Sequence, residues 1–365
     1  MQELISLASG YGTFPVPSEA AEAAIRVIQA GPLPVSPAGG LAELREALAQ
    51  QYQRPGTASA VSAEQVVVTP GAKSALFALF SVLLRPGDEV LLPTPNWFGF
   101  SQLIERAGGQ VRHLPLAAED NYALDPARLE AAITPSTRIL LLSNPNNPTG
   151  RVYTRAELAA VLEVTSRFPD LYVVSDEIYN LITFGPEPVP SLLDFPDPQE
   201  RHLVVNGYSK SLALIGWGVG YLVAPAAVAA ACTAWQFATS VAVPAPNQYA
   251  ALAATLGTSG IAAGLLEQLR PTRPVLLAGL ASIPKVPATQ PEGTYYAFPD
   301  FRAYLNATLP PAKAAAELTA RFRQAGVEVV DGTSCGAPGF MRISYAVPEP
   351  LLQEAVGRIR RALES

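Results

Sequence analysis

Short apolar runs alternate, over the first two-thirds of the chain, with longer stretches in which apolar residues recur every three to four positions. Val66-Val67-Val68, Glu89-Val90-Leu91-Leu92, Ile139-Leu140-Leu141-Leu142, Tyr172-Val173-Val174, Leu203-Val204-Val205 and Tyr221-Leu222-Val223 predict strands. Between them the spacing predicts helices through Ala75–Phe80, over Trp97–Ala107 and over Thr154–Phe168, the last opened by a Thr154/Glu157 capping box. Strands apolar on both faces and separated by helices describe an α/β architecture, a mostly parallel central sheet sandwiched by helices.

The texture changes after about residue 258. A long amphipathic stretch runs over Ile261–Ile283, followed by a strand at Phe340–Tyr345 and helices at Ala312–Ala325 and Pro350–Leu363. That is the pattern of a smaller α+β domain. The first residues fit no strand–helix unit and are expected to pack with this C-terminal part. The expected division is therefore a large domain over 38–262 and a small one over 1–37 and 263–365.

Composition narrows the possibilities without naming a chemistry. The 365 residues are 49% hydrophobic and 15% charged, as in a packed globular protein. A net charge of −6 gives no reason to expect nucleic acid or anionic lipid as a partner. No apolar run has the length to cross a bilayer, and Met1-Gln2-Glu3-Leu4 does not begin a secretory signal, so a cytoplasmic location is expected. Cys232 and Cys335 are read as two reduced thiols, and with only His113 and His202 no metal site is expected.

Three motif matches fail on context. Gly216-Trp217-Gly218-Val219-Gly220 resembles part of a dinucleotide fingerprint but leads into a strand where that motif needs a helix. Gly332-Thr333-Ser334-Cys335-Gly336 matches a nucleophile elbow, yet a strand follows and no His occurs beyond residue 202. Asp176 and Glu177 are strand neighbours, so only one can face a given site.

What remains is a set of polar segments at predicted strand ends, where open α/β sheets bind ligands. They are Thr69-Pro70-Gly71-Ala72-Lys73, Asn144-Pro145-Asn146-Asn147-Pro148-Thr149-Gly150, Ser175-Asp176-Glu177-Ile178-Tyr179 and Asn206-Gly207-Tyr208-Ser209-Lys210. The first sits before a helix, whose free N–H groups can hold a phosphate. With Pro95-Asn96-Trp97, Pro291-Glu292-Gly293-Thr294-Tyr295-Tyr296 and Met341-Arg342-Ile343-Ser344, the chain resembles, over nearly its whole length, the class I/II aminotransferases of fold-type I pyridoxal-phosphate enzymes.

The resemblance implies pyridoxal 5'-phosphate as cofactor, with Lys210 as the amine that forms its Schiff base. Asp176 would keep the pyridine nitrogen protonated, while Tyr179 and Asn147 bond the ring's phenolic oxygen. Trp97 would stack on the ring, and Gly71, Ala72, Lys73 and Ser209 would surround the phosphate. Arg342 would grip the substrate carboxylate through two parallel bonds, with Asn147 and Trp97 beside it. Each has a plain alternative: a surface lysine, a strand-end cap, a core aromatic or a structural ion pair.

The chain also departs from the family. Gly207 stands where a Ser, Gly218 where an Arg and Val35 where a partner-subunit Tyr would bind the phosphate. Lys73 is the residue expected to supply part of that missing charge. The expected activity is transfer of an amino group between an amino acid and a 2-oxo acid by a homodimer. Tyr11, Phe14, Tyr295 and Tyr296, and the lack of an assignable second Arg, favour aromatic or large apolar substrates. A C–S lyase or decarboxylase on the same fold, and a non-catalytic relative with a weakened phosphate site, are the alternatives.

Overall fold

A computed structural model describes residues 3–53 and 60–364; Met1 and Gln2, part of the N-terminal reading above, lie outside it. Its centre is a seven-stranded sheet built from β1 (Val66–Thr69), β2 (Glu89–Thr94), β3 (Gln110–Pro115), β4 (Thr137–Ser143), β5 (Tyr172–Asp176), β6 (His202–Gly207) and β7 (Gly220–Val223). The strand order is β1-β7-β6-β5-β4-β2-β3, and only β7 runs against its neighbours.

Alternate side chains of each strand enter two separate cores. Val66, Val68, Leu91, Leu140, Leu142, Val173, Val204 and Val223 fill one face. Val67, Val90, Leu92, Ile139, Leu141, Val174, Leu203, Val205 and Leu222 fill the other, against helix Ala72–Leu83. Burial on both faces is what the unbroken apolar runs require. β3 was not among the expected strands: it is the sheet edge, and most of its side chains are exposed or half-buried.

A third core gathers Ile5, Leu7, Leu265, Leu269, Leu276, Phe301, Phe322, Ile343 and Ile359. It is covered by helices Thr258–Ala281, Pro311–Gln324 and Glu349–Glu364, close to the expected spans. The first 37 residues divide between cores. Ile5–Ser6 pairs with Val327–Glu328, whereas helix Ser18–Gln29 lies on helix Ala245–Leu256 and buries Ala20 and Ala24 beneath the large sheet. Its buried face is a stripe of small residues, Ala20, Ala23 and Ala24, which permits close contact with that helix. Among the described residues no single helix is long and apolar enough to cross a membrane.

Candidate active site

The C-terminal ends of β2, β4, β5 and β6 lie along one edge of the sheet, and a cavity of about 670 Å³ opens there. Gly71, Ala72, Lys73, Trp97, Asn147, Asp176, Tyr179, Ser209, Lys210 and Arg342 all line it. Ten residues spread over more than 270 positions thus share one space. Gly207 and Gly218 do not line it, and Val35 is 97% exposed.

Asp176 closes β5 and turns inward, while Glu177 turns away to accept from Ser191 Oγ and the Leu192 amide. Asp176 is buried, with the Ile178 amide at 3.2 Å on Oδ1. Burial raises its carboxyl to about 7; the Ile178 amide and the Lys210 charge oppose this without overcoming it. Burial likewise pushes the Lys210 amine down to about 7, aided by Arg342 and Lys73 and opposed by Asp176. Lys210 Nζ donates to Gly10 O at 2.5 Å and lies 3.5 Å from the centre of the Tyr11 ring.

At one end of the cavity the Arg342 guanidinium is buried. Nη1 donates to Asn147 Oδ1 at 3.1 Å, Nη2 donates to Ala8 O at 3.0 Å, and the group stacks over Tyr296 at 4.4 Å. Its Nε–H has no partner among the described residues. Tyr179 and Tyr296 share a 3.0 Å hydroxyl contact, and burial raises the Tyr179 phenol well above its ordinary value.

The other end is the first turn of helix Ala72–Leu83. Gly71 precedes it at φ +85°, a left-handed conformation that a side chain resists. The Ser74 and Ala75 amides donate back to Gly71 O, so those of Ala72 and Lys73 have no acceptor among the described residues. Lys73 Nζ lies 5.4 Å from the Trp97 ring centre.

These features suit pyridoxal phosphate. A buried acceptor with one weak contact awaits a cationic ring nitrogen. Two free amides beside a lysine await a phosphate, an indole face borders the space between, and an amine depressed toward neutrality can react with an aldehyde. The fold and cavity are those of a fold-type I pyridoxal-phosphate enzyme.

Comparison with known proteins makes the assignment narrower. The family model for aminotransferase class I and II matches residues 2–359. A probable aspartate/prephenate aminotransferase of Thermus aquaticus is 36% identical, over 99% of this chain and 92% of its own. The aspartate aminotransferase of Bacillus subtilis is 32% identical, over 99% and 92%. The crystal structure of the Rhizobium meliloti enzyme superposes with a TM-score of 0.93 at 31% identity, covering all of this chain and 92% of that one. The chain belongs to the class I/II aminotransferase family and is a pyridoxal-phosphate-dependent aminotransferase, acting on amino acids and oxo acids.

Within the segment Ala8–Tyr11 sequence reasoning gave a role to Tyr11 alone, as an aromatic of the substrate pocket, although Ala8 and Gly10 line the cavity with it. The glycines in Ser9-Gly10-Tyr11-Gly12 were the only signal for those two, since their contribution is mostly backbone carbonyls. Tyr296 lines the cavity; Tyr295 sits behind it, donating to Gly10 O at 2.8 Å, and Phe14 packs against Tyr295. Ser334 also borders the space, but its hydroxyl donates to Asp331 O within a short turn, and no His is near in the chain.

Proposed function

We propose that Lys210, Asp176 and Tyr179 carry the transamination chemistry, with Arg342 and Asn147 holding the substrate and Trp97 bounding both cofactor and substrate. The observation that carries this reading is the convergence of a depressed amine, a raised carboxyl and a buried guanidinium on one cavity. Bound pyridoxal phosphate supplies an aldehyde for the amino group and a ring that accepts electron density from the substrate α-carbon.

The protein's own groups do the rest. Asp176 would accept from the ring nitrogen and hold the proton there. Tyr179 and Asn147 would bond the phenolic oxygen; Asn147 spends its Oδ1 on Arg342, which leaves its Nδ2 to donate. Arg342 has five N–H donors and uses two within the protein, so a carboxylate can take two more. Once released, the Lys210 amine is neutral enough near pH 7 to take the α-proton and return it elsewhere. Gly71, Ala72, Lys73 and Ser209 would hold the phosphate, with Lys73 supplying part of the charge that Gly207, Gly218 and Val35 cannot.

The test is spectroscopic. Protein purified with the cofactor should show a visible band, borohydride should fix the cofactor covalently, and Lys210→Ala should lose both. A visible band of unchanged position in Lys210→Ala would end this reading.

For the substrate side chain, Tyr11, Trp97, Phe98 and Tyr296 favour an aromatic or large apolar group. The second reading is aspartate, named in the relatives' activities. It requires a second cation, and among the described residues Lys73 is the only cavity-lining cation not already assigned to the amine or to the α-carboxylate. One variant decides between them. If Lys73 serves the phosphate, Lys73→Ala weakens cofactor binding and slows phenylalanine and aspartate alike. If it serves a second carboxylate, aspartate alone suffers and cofactor affinity holds. We further propose a cytoplasmic homodimer, with Cys232 and Cys335 as buried thiols.

A further inference from the structure

The loop that carries Asn147 and the loop that carries Tyr296 are fastened together by charge, away from the cavity. Arg151 closes the base of the first loop: its carbonyl accepts from the Asn146 amide at 2.8 Å, and its own amide donates to Thr149 Oγ1 at 3.2 Å. Its side chain is only 10% exposed and reaches across to the second loop. There Nη1 donates to Glu292 Oε2 at 2.7 Å, while Nη2 donates to Glu157 Oε1 on the following helix. Glu292 Oε2 also accepts from the Val152 amide at 2.8 Å.

The backbones mesh at the same place. Gly150 O accepts from the amides of both Glu292 and Gly293 at 2.8 Å. A Cβ on Gly150 would stand 2.3 Å from Pro291 Cβ, and one on Gly293 would stand 2.8 Å from Pro145 Cβ. Neither loop can shift without the other.

Arg342 lies between what these loops carry. Asn147 Oδ1 accepts from its Nη1, and the Tyr296 ring lies under its plane. We infer that Arg151 and Glu292 are positioning residues, which fix Asn147 and Tyr296 about Arg342 and so set how tightly the enzyme grips a substrate carboxylate. Neither touches the substrate. A carboxylate accepts two parallel bonds only from a correctly oriented guanidinium, so a small rotation of Arg342 loses one of them. The Arg151 guanidinium is mostly buried while its two acids are partly exposed, and removing it leaves Glu157 and Glu292 unneutralised beside the loop base.

This inference rests on the proposed role of Arg342, and the experiment separates the two. Holoenzymes of Glu292→Gln, Arg151→Ala, Arg151→Lys and Arg342→Lys are titrated calorimetrically with 3-phenylpropionate and with succinate, carboxylates that have no amino group to transfer. KM and kcat are measured alongside for the best amino acid. Glu292→Gln, isosteric and at a side chain 42% exposed, guards against a simple folding failure. The expected result for Glu292→Gln and Arg151→Ala is roughly tenfold weaker binding of the tighter probe, the order of one lost charged hydrogen bond. KM should rise in step, kcat should stay within about twofold, and Arg151→Lys should recover part of the loss. Unchanged probe affinity in the clasp variants, with Arg342→Lys weakened, overturns the clasp alone. Unchanged affinity in Arg342→Lys overturns the carboxylate role and this inference with it.

Discussion

Two buried groups of opposite type each titrate near 7 in the cofactor-free cavity, and this makes a pH signature attributable to single residues. Asp176 rises from 3.8 to about 7, so the folded state holds its proton more tightly than the unfolded chain does. Its contribution to stability is complete below about 4 and is lost as pH climbs through 7. Lys210 falls from 10.5 to about 7, so its contribution is present above the unfolded value and lost as pH drops through 7. Together they place a minimum near neutrality. Asp176→Asn removes the first arm. In cofactor-free protein it should raise the thermal midpoint more at pH 8 than at pH 5, and leave it nearly unchanged only below about pH 4. The gain at pH 8 exceeds that at pH 5 by on the order of 3 kcal/mol before any relaxation of the site. Thermal melts of wild type and variant from pH 5 to 9 are sufficient, and parallel curves would show that Asp176 is not the titrating group.

At the scale of elements, the phosphate end of the cavity depends on β7 lying hard against the first turn of helix Ala72–Leu83. A Cβ on Gly220 would fall 2.3 Å from the Ala72 amide nitrogen and 2.4 Å from the Gly71 carbonyl carbon, both rigid backbone. Gly220→Ala must therefore push the helix start away from the sheet, at a cost of about 1–3 kcal/mol. The displaced amides are those left for the cofactor. Apparent cofactor affinity, followed by the visible band on titration, should fall about tenfold or more while far-ultraviolet circular dichroism is retained. Unaltered affinity would mean that these amides do not hold the phosphate. The strands flanking this site were legible because burial on both faces leaves continuous apolar runs; most of the proposed site residues stand in polar segments after such runs, while Arg342, inside the strand Met341–Ser344, was singled out by the family resemblance alone. β3 was not, since an edge strand with Gln110, Arg112 and His113 outward has no such pattern. Helices Ala226–Thr239 and Ala245–Leu256 were not either, because runs of alanine give little amphipathic contrast. The Ala8 and Gly10 carbonyls and the Arg151–Glu292 pair escaped notice for another reason. They act through contacts that span from about 140 to more than 330 residues, which no local pattern encodes.

For the molecule as a whole, surface area and surface chemistry agree on a face left to be covered. A compact monomer of 38.5 kDa exposes about 14,000 Å², whereas this chain exposes 15,632 Å². The excess is about twice the roughly 800 Å² that one partner contributes to a standard interface. Large apolar side chains stand in solvent where that share could lie: Val35 is 97% exposed, Phe237 80% and Val241 85%. They belong to one neighbourhood, because Gln236 Nε2 donates both to Ala38 O and to Val68 O and so ties the segment after Val35 to the end of helix Ala226–Thr239. Isolated exposed apolar residues are ordinary, but a cluster flanking a sheet edge invites a second copy. Sedimentation equilibrium at micromolar concentration should therefore give twice 38.5 kDa. Phe237→Asp and Val35→Asp should each weaken the dimer by about thirtyfold or more, the effect of losing a central apolar anchor. The placement of a buried carboxylate against an apolar partner face adds to that loss, and the double variant should be largely monomeric. A monomeric wild type, or a dimer indifferent to both changes, would move the interface elsewhere on the surface or remove it.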